Sequence, residues 1–369
     1  MAKKPFTPIP PMAELPPAEE INIQEILDKY LSGEIDLICV LGPTASGKTK
    51  YAVQLARQIN QSLKTIRGGS ASEKRATPLA AGGGALFAAD PVLMAGAEII
   101  SADSRQVYRG MDIGTGKDLN EYEEIPYHLM DIVDAGTKYN IFEYQRDFEK
   151  AYKDIVDRGG IPILCGGSGL YIEAATCGYS LPEVPPNPEL RAELEKKTDE
   201  ELIAQLASLK PLHNNTDYDT RKRLIRALEI AIYEAEHPVQ HTAFLPKNTY
   251  YIGTLVTREV RNAKIDARLD ARLEEGMVEE IRSLIDGTHP AMCTTDADGN
   301  TLPGKPIAPE DLIYYGLEYK FVTLYLIGEL TFDQMRNQLA TAIHQFAKRQ
   351  MTWFRGMERK GITIHWTAV

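Results

Sequence analysis

The chain has 369 residues, a formal net charge of -11 at pH 7 and 43% hydrophobic residues. This length suits two domains, and the composition is that of an ordinary globular protein. No apolar run approaches the roughly 20 residues that span a bilayer, the N-terminus lacks the apolar segment of a secretory signal, and the four cysteines lie far apart, which argues against a zinc site or a disulfide framework. We therefore expect a cytoplasmic protein without membrane contact.

The first hundred residues predict an arm, a strand and two helices. Residues 1–20 are proline-rich and predict a disordered arm, and residues 21–31 have helical spacing. The apolar run 36–41 is typical of a buried parallel strand, and a helix is predicted over 48–59. Residues 61–96 are rich in Gly, Ala and Ser, so we expect them to form an inserted loop.

The next segments alternate between strand and helix patterns. Strands are predicted over 97–104, which runs into an acidic loop, and over 126–133. An amphipathic helix is predicted over 141–159, and a strand, a glycine turn and a helix over 161–176. This alternation predicts an open α/β sheet whose active site lies at the carboxyl ends of the strands.

The second half begins with a proline-dense boundary at 181–190. The elements predicted beyond it are a charged helical segment over 187–245, a strand over 250–257, one long helix over 262–285, a turn-rich loop or small hairpin over 287–308, and helices over 309–357. We therefore divide the chain into an N-terminal arm and helix (1–34), a first part of the catalytic core (35–180), a helical insert (181–249) and a second part of the core (250–369).

The segment GPTASGKT at residues 42–49 matches the phosphate-binding pattern G-x-x-x-x-G-K-[ST]. In such a loop the backbone N–H groups form an anion-binding concavity at a helix N-terminus. Lys48 can reach phosphate oxygens, and the Thr49 hydroxyl can bind Mg²⁺. The predicted strand before the loop and helix after it favour this interpretation over a chance match.

The residues alone leave the reaction open. A P-loop phosphotransferase needs a further carboxylate for magnesium, and Asp103, Asp131 and Asp134 are the candidates. Two basic clusters, RKRLIR at 221–226 and KRQMTWFRGMERK at 348–360, contrast with the negative net charge. Either cluster alone is more often a solvated helix surface than a binding site.

Several motifs together resemble one family. The motifs are GPTASGKT (42–49), IISADSRQVYRGMDIGTGK (99–117), PYHLMDI (126–132), GGSGLYI (166–172), RKRLIRALEI (221–230) and AKRQMTWFRGM (347–357). In this order they resemble the bacterial tRNA dimethylallyltransferases, also called tRNA isopentenyltransferases. The resemblance covers roughly residues 35–360 without the segments 61–96 and 287–308. It implies an α/β fold with a P-loop NTPase-like parallel sheet flanked by helices and a smaller all-helical insert domain that binds tRNA.

The resemblance implies a prenyl transfer rather than a phosphoryl transfer. A dimethylallyl group passes from dimethylallyl diphosphate to N6 of the adenosine on the 3′ side of the tRNA anticodon. The loop then holds the diphosphate leaving group with Mg²⁺ on Thr49. Asp103 is implied as the base that accepts the amine proton, and Ser168, where the family usually has Thr, as a catalytic contact.

The resemblance also implies binding residues. Those for the donor diphosphate are Gly42, Thr44, Ala45, Ser46, Gly47, Lys48, Thr49 and Lys264. Lys264 stands where an arginine is expected, so Arg261 or Arg268 is an alternative. Those for the tRNA anticodon stem-loop are Asp103, Ser104, Arg105, Gln106, Ser168, Arg191, Lys222, Arg223, Arg226, Lys348, Arg349, Gln350, Trp353 and Arg355.

Three rival functions stay open at this point. An adenylate isopentenyltransferase would use a free adenine nucleotide as acceptor, and a P-loop small-molecule kinase would transfer phosphate from ATP. A nucleotide-dependent RNA-binding module would have no chemistry. The segment 314–322 matches the family's Gly-Tyr-Arg motif only loosely. We expect a monomer, because tRNA would occupy the large basic surface.

Overall fold

The computed structural model describes residues 15–69, 95–178, 184–210, 220–237, 244, 246–296 and 299–369. Its strands are β1 (Leu37–Leu41), β2 (Gly96–Ser101), β3 (Tyr108–Arg109), β4 (Tyr127–His128), β5 (Val133–Asp134), β6 (Gly160–Gly166), β7 (Thr249–Leu255), β8 (Thr294–Thr295), β9 (Thr301–Leu302) and β10 (Ile364–Ala368). Its α-helices are α1 (Ile23–Leu31), α2 (Lys48–Gly69), α3 (Ile141–Asp157), α4 (Gly169–Thr176), α5 (Pro188–Leu194), α6 (Asp199–Leu209), α7 (Arg221–Glu236), α8 (Arg258–Glu275), α9 (Met277–Asp286), α10 (Pro309–Leu312), α11 (Leu317–Leu326) and α12 (Phe332–Arg359).

A parallel sheet with the strand order β10-β7-β1-β6-β2-β4 forms the centre of the fold. Leu41, the last residue of β1, pairs with Gly166 of β6 and Gly253 of β7. The three strands therefore end at one edge of the sheet, and the loops that follow them meet there. The predicted α/β fold is confirmed.

Helices cover both faces of the sheet because side chains alternate along each strand. Ile38 and Val40 of β1 join the hydrophobic cluster beneath α1 and α2. Leu37, Cys39 and Leu41 join the larger cluster on the opposite face, to which α3, α4, α8, α9, α11 and α12 contribute. The core that supports the loops is thus buried on both sides.

The described residues of 187–245 form three helices with a cluster of their own. Leu194, Leu202, Leu206, Leu224 and Leu228 are all buried within it. Each helix begins at a side-chain cap, as at Thr198, whose hydroxyl accepts the N–H of Glu201. This small core keeps α5, α6 and α7 together independently of the sheet.

Helix α12 contributes buried residues to the core and extends to the phosphate loop. It begins at a capping box formed by Thr331 and Gln334, and its buried stripe includes Leu339, Ile343 and Ala347. Among the described helices, none has the length and apolar character that a membrane span requires.

Three predicted boundaries were wrong. Helix α2 extends to Gly69, so residues 61–69 are helical rather than part of a loop, because Leu63 continues the buried stripe of Leu55 and Ile59. The rest of that predicted loop, up to residue 94, lies outside the described residues, as does most of the predicted arm. The predicted strand over 126–133 is two short strands, β4 and β5, separated by left-handed residues at Leu129 and Asp131.

The predicted helix over 262–285 is also two helices. Gly276 ends α8 with a φ of +110°, a backbone conformation that glycine adopts without steric cost. The hairpin of β8 and β9 confirms the prediction of a small hairpin within 287–308. Strand β10 was not predicted, and it extends the sheet by pairing with β7.

Candidate active site

The phosphate loop connects β1 to α2 and is held from two sides. Ala45 and Gly47 take positive φ values of 60° and 82°, which bend the backbone into a compact loop. The Thr44 N–H donates to Oε1 of Gln350 on α12 at 2.8 Å. The buried Ser46 hydroxyl lies 2.6 Å from the hydroxyl of Thr254 on β7. The Ser46 side chain is therefore structural, and its N–H donates to the Pro43 carbonyl at 3.2 Å.

A cavity of about 370 Å³ opens at the carboxyl ends of β1, β2 and β6. The predicted site residues that line it are Thr44, Lys48, Thr49, Asp103, Ser104, Arg105, Gln106, Ser168 and Gln350. The sheet topology brings these residues together from four segments of the chain that are far apart in sequence. This volume is in the range of small-molecule sites.

Lys48 and Asp103 place opposite charges in this cavity. Burial lowers the pKa of Lys48, and the neighbouring Asp103 carboxylate opposes that shift. A cation beside the loop and a carboxylate on the loop after β2 suit a reaction in which one side of a substrate gains negative charge and the other loses a proton.

The backbone of the acidic loop fixes the Asp103 carboxylate. The Asp103 N–H donates to Ser101 Oγ at 3.2 Å, and Asp103 Oδ1 accepts the N–H of Arg105 at 3.0 Å. Ser168, at the start of α4, ties this loop to the end of β6, because its Oγ accepts the N–H of Ser104 at 3.2 Å. Among the described residues no group donates a hydrogen bond to Oδ2 of Asp103, so this oxygen can accept a hydrogen bond from a substrate.

Two arginines of α8 line the cavity, whereas Lys264 does not. Arg268 and Arg272 are one helical turn apart, and Lys264 is exposed outside the cavity. Asp118 accepts hydrogen bonds from both guanidinium groups, that from Arg272 at 3.5 Å. A Cβ on Gly116 would lie 1.6 Å from Arg272 Nη2, so a side chain at this position would displace the guanidinium. Burial lowers the pKa of Arg272, and the like charge of Arg268 adds to that effect.

Gln106, which was predicted to contact RNA, makes hydrogen bonds within the protein. Its side chain is buried, with Oε1 accepting the Ser101 hydroxyl at 3.0 Å and Nε2 donating to the Gly116 carbonyl at 3.1 Å. It therefore connects the acidic loop to the segment beneath Arg272. Asp131 and Asp134, the alternative magnesium residues, do not line the cavity and pair with Lys117 and Arg109.

The predicted tRNA-binding residues of the helical segment fall into two groups. Arg191 and Arg226 converge on the buried carboxylate of Glu229, and Arg191 donates to it at 2.9 and 2.7 Å. Burial opposes the ionisation of Glu229, but these hydrogen bonds and the Asn187 N–H outweigh it and lower its pKa to about 2. Lys222 and Arg223, in contrast, are exposed on the first turn of α7.

The second predicted cluster divides in the same way. Lys348 and Arg349 are exposed on α12, whereas Gln350 is buried and its Nε2 donates to the Gly167 carbonyl at 2.8 Å. Trp353 is 40% exposed, and its indole N–H donates to Glu173 at 3.1 Å. Arg355 lies 3.1 Å from Glu358. Lys348, Arg349 and Trp353 are therefore accessible on the surface of α12, whereas Gln350 is not.

Comparison with known proteins supplies the family. A family model described as IPP transferase matches residues 106–357. The protein named tRNA dimethylallyltransferase 2 of Bacteroides fragilis is 51% identical over 337 residues, which are 90% of this chain and 92% of that protein. This chain belongs to the tRNA dimethylallyltransferase family. It is therefore an enzyme of a prenyltransferase family, and the predicted resemblance is confirmed.

Further relatives of the family agree in sequence and in fold. The tRNA dimethylallyltransferase 1 of Parabacteroides distasonis is 50% identical, with 90% of this chain and 92% of that protein covered. The crystal structure of a tRNA isopentenylpyrophosphate transferase from Bacillus halodurans is 28% identical, with a TM-score of 0.54 and coverage of 90% and 89%. A eukaryotic dimethylallyltransferase structure, 23% identical with a TM-score of 0.60 and coverage of 86% and 69%, shares the fold.

Several residues of the site were missed by sequence reasoning. Arg272, Tyr314, Glu318 and Phe346 line the cavity, and no motif singled them out. The spacing of Arg272 four residues after Arg268 was a usable signal, because both then lie on one helix face. The other three come from the end of the chain, and only the tertiary structure brings them to the loop.

Proposed function

We propose that this protein transfers a dimethylallyl group from dimethylallyl diphosphate to N6 of the adenosine on the 3′ side of the tRNA anticodon. The products are N6-(dimethylallyl)adenosine and diphosphate. The observation that carries the proposal is one cavity that combines a phosphate loop, the cations Lys48, Arg268 and Arg272, and the carboxylate of Asp103. Membership of the tRNA dimethylallyltransferase family supports the choice of donor and acceptor.

The donor side of the cavity stabilises the leaving group. As the C–O bond to the diphosphate breaks, its electron pair remains on the diphosphate oxygen, which gains negative charge. Lys48 and the N–H groups of the loop stabilise that charge. Arg268 and Arg272 complete the anion site, and they take the place that the sequence suggested for Lys264. Their guanidinium groups are planar, so they bind phosphate through paired hydrogen bonds.

The acceptor side activates a weak nucleophile. The N6 lone pair of adenine is delocalised into the ring, so attack on the dimethylallyl carbon requires that the amine lose a proton. Oδ2 of Asp103 accepts that proton as the C–N bond forms, while Oδ1 stays hydrogen-bonded to the Arg105 N–H. Ser168 positions this loop through Ser104, and its hydroxyl lies in the cavity where it can contact the base or the diphosphate. Such prior orientation lowers the entropic part of the barrier.

Magnesium fits the donor side of this site. The Thr49 hydroxyl lines the cavity, and among the described residues no group of three His, Cys, Asp or Glu side chains forms a separate metal cage. Mg²⁺ keeps several waters and takes one or two protein oxygens together with substrate phosphates, so a single hydroxyl beside a diphosphate suits it. When bound, Mg²⁺ would neutralise charge on the diphosphate.

The acceptor is an RNA loop rather than a free nucleotide. The exposed basic residues Lys222, Arg223, Lys348 and Arg349 lie outside the cavity. A free nucleotide bound in the cavity would not require them. An adenine in a structured RNA must leave its stack to reach Asp103. The stem-loop phosphates then bind these basic residues. We include in the proposal that the protein acts as a monomer in the cytoplasm.

A transfer assay tests the function. Purified protein, Mg²⁺ and radiolabelled dimethylallyl diphosphate are offered an unmodified tRNA with adenosine 3′ of the anticodon, and AMP in parallel. Asp103→Asn, which keeps the shape but cannot accept the proton, is the matched control. We expect label on tRNA, little on AMP, and a loss of at least about a hundredfold in the variant.

The alternative functions give different results in the same assay. Label on AMP in preference to tRNA would place the protein among adenylate isopentenyltransferases. Phosphate transfer from ATP without prenyl transfer would favour the small-molecule kinase. Binding of tRNA that is unaffected by Asp103→Asn and unaccompanied by any transfer would leave only an RNA-binding module.

A further inference from the structure

Two exposed aromatic side chains stand in the cavity without an assigned role. Tyr314 is 50% exposed and Phe346 is 39% exposed, and both line the cavity that contains Asp103 and Lys48. Exposed aromatic rings within a charged cavity are unfavourable for an empty protein, because their apolar faces contact water. Because they lie in the cavity, they offer apolar surface that a ligand with an apolar face could cover.

Each ring is paired with an arginine. The guanidinium carbon of Arg105 lies 5.7 Å from the centroid of the Tyr314 ring, and that of Arg349 lies 5.8 Å from the Phe346 centroid. These distances are within the range of cation–π contacts. A flat apolar surface beside a positive charge matches a nucleotide, whose base stacks on the ring while its phosphate meets the cation.

Both rings are held by rigid elements. Tyr314 packs edge to face on Tyr315, with centroids 5.9 Å apart, and the Tyr315 hydroxyl donates to the Thr137 carbonyl at 2.6 Å. Phe346 lies on α12 one turn before Gln350, which holds the phosphate loop. The rings therefore keep a fixed position relative to Asp103, as a surface that orients a substrate must.

We propose that Tyr314 and Phe346 are stacking surfaces for the nucleotides that flank the target adenosine, and that they hold the RNA loop open while the adenine enters the cavity. This inference rests on the proposed function and adds two tRNA-positioning residues to it. The alternative ligand for the two rings is the dimethylallyl tail of the donor. This tail has an apolar surface, but it carries no phosphate that would lie near both Arg105 and Arg349, so it does not explain the two cation–ring pairs.

Steady-state kinetics separate the two occupants. We expect Tyr314→Ala and Phe346→Ala each to raise the KM for tRNA about tenfold, as the loss of one base–aromatic stack predicts, and to leave the KM for dimethylallyl diphosphate within twofold. Tyr314→Phe keeps the ring, so its KM for tRNA should equal that of the wild type. Phe332→Ala removes an exposed ring on the same helix outside the cavity, and it should change neither constant.

A binding measurement avoids dependence on the chemistry. An anticodon stem-loop with 2-aminopurine next to the target adenosine, on either side, is titrated with protein, and stacking quenches its fluorescence. We expect quenching by the wild type and by Tyr314→Phe, and its loss in one or the other alanine variant. Quenching unchanged in both alanine variants, or an increase in the donor KM with the tRNA KM unchanged, would overturn the inference. Wild-type quenching without transfer to tRNA would instead count against the proposed function alone.

Discussion

The side chain of Gln350 holds Thr44 of the phosphate loop from 306 residues away in the sequence. Its Oε1 accepts the Thr44 N–H at 2.8 Å, and its Nε2 donates to the Gly167 carbonyl at 2.8 Å. One amide thus connects the loop after β1 with the loop after β6. The sequence had suggested that Gln350 contacts tRNA, but its buried position makes it a positioning residue for the donor site.

Gln350→Leu should raise the KM for dimethylallyl diphosphate about tenfold. The substitution keeps the volume and removes two hydrogen bonds, each worth about 1 kcal/mol, that order the loop. The KM for tRNA should stay within twofold. Gln345→Leu, on the exposed side of the same helix, is the control. An increase in the tRNA KM alone would restore the RNA contact that the sequence suggested.

Arg272→Met should lower kcat/KM for the donor by at least about tenfold. A charge-assisted hydrogen bond to phosphate contributes roughly 1.5–3 kcal/mol, and methionine fills much of the same space. Lys264→Met should have less than a twofold effect, because Lys264 lies outside the cavity. The reverse order of effects, measured by initial rates at limiting donor, would return the donor phosphate to Lys264.

Glu318→Gln should stabilise the protein more at high pH than at low pH. Burial raises the pKa of Glu318 above its ordinary 4.5, although Arg272 opposes the shift. The folded state then binds more protons than the unfolded state as the pH rises from 4.5 through the raised pKa, so Glu318 lowers stability in that window and above it. Below pH 4.5 both states are protonated and the effect disappears. The difference in Tm between variant and wild type should therefore grow from pH 4 to pH 8, and an equal difference at both would contradict the assignment.

Lys117→Met should lower the free energy of unfolding by about 2 kcal/mol. The Lys117 ammonium is buried, donates to the Tyr108 carbonyl at 2.6 Å and to Asp112 at 2.5 Å, and pairs with Asp131. Its loss leaves the buried Tyr108 carbonyl without a donor and two partly exposed carboxylates without their cation. Urea titration measures the change.

Arg109→Met is the control for this prediction. Arg109 pairs with Asp134 at 2.5 Å, but both side chains are exposed. Exposed ion pairs contribute about 1 kcal/mol or less, so this variant should be nearly as stable as the wild type. Equal losses in the two variants would show that burial does not distinguish the pairs.

Local patterns singled out several of the residues that line the cavity. The phosphate loop has a sequence signature because its glycines, Lys48 and Thr49 act within one short segment. Asp103 could be found because it follows an apolar strand of a parallel sheet. Both inferences depend only on neighbouring residues and on the rule that such strands end at one edge.

The rest of the site depends on contacts between distant segments, which no local pattern encodes. In the sequence Gln350 is flanked by basic residues and is interpreted as part of a basic surface. In the structure α12 packs beside the phosphate loop, and Gln350 contacts that loop. The placement of Arg268 and Arg272 rather than Lys264 is decided by which turns of α8 lie beside the cavity, since the three residues share a helix face and differ in their position along the helix. Tyr314 follows a hairpin segment whose path the sequence did not predict.

The position of β1 between β6 and β7 has a consequence for synthesis of the chain. β1 leaves the ribosome long before either neighbour, so its buried apolar side chains and backbone groups have no partners while most of the chain is still unmade. The three-helix cluster of α5, α6 and α7 needs only local contacts and can form before β7 is synthesised. Nascent chains that stop before β7 therefore carry an open strand edge, which makes them targets for chaperones and for aggregation.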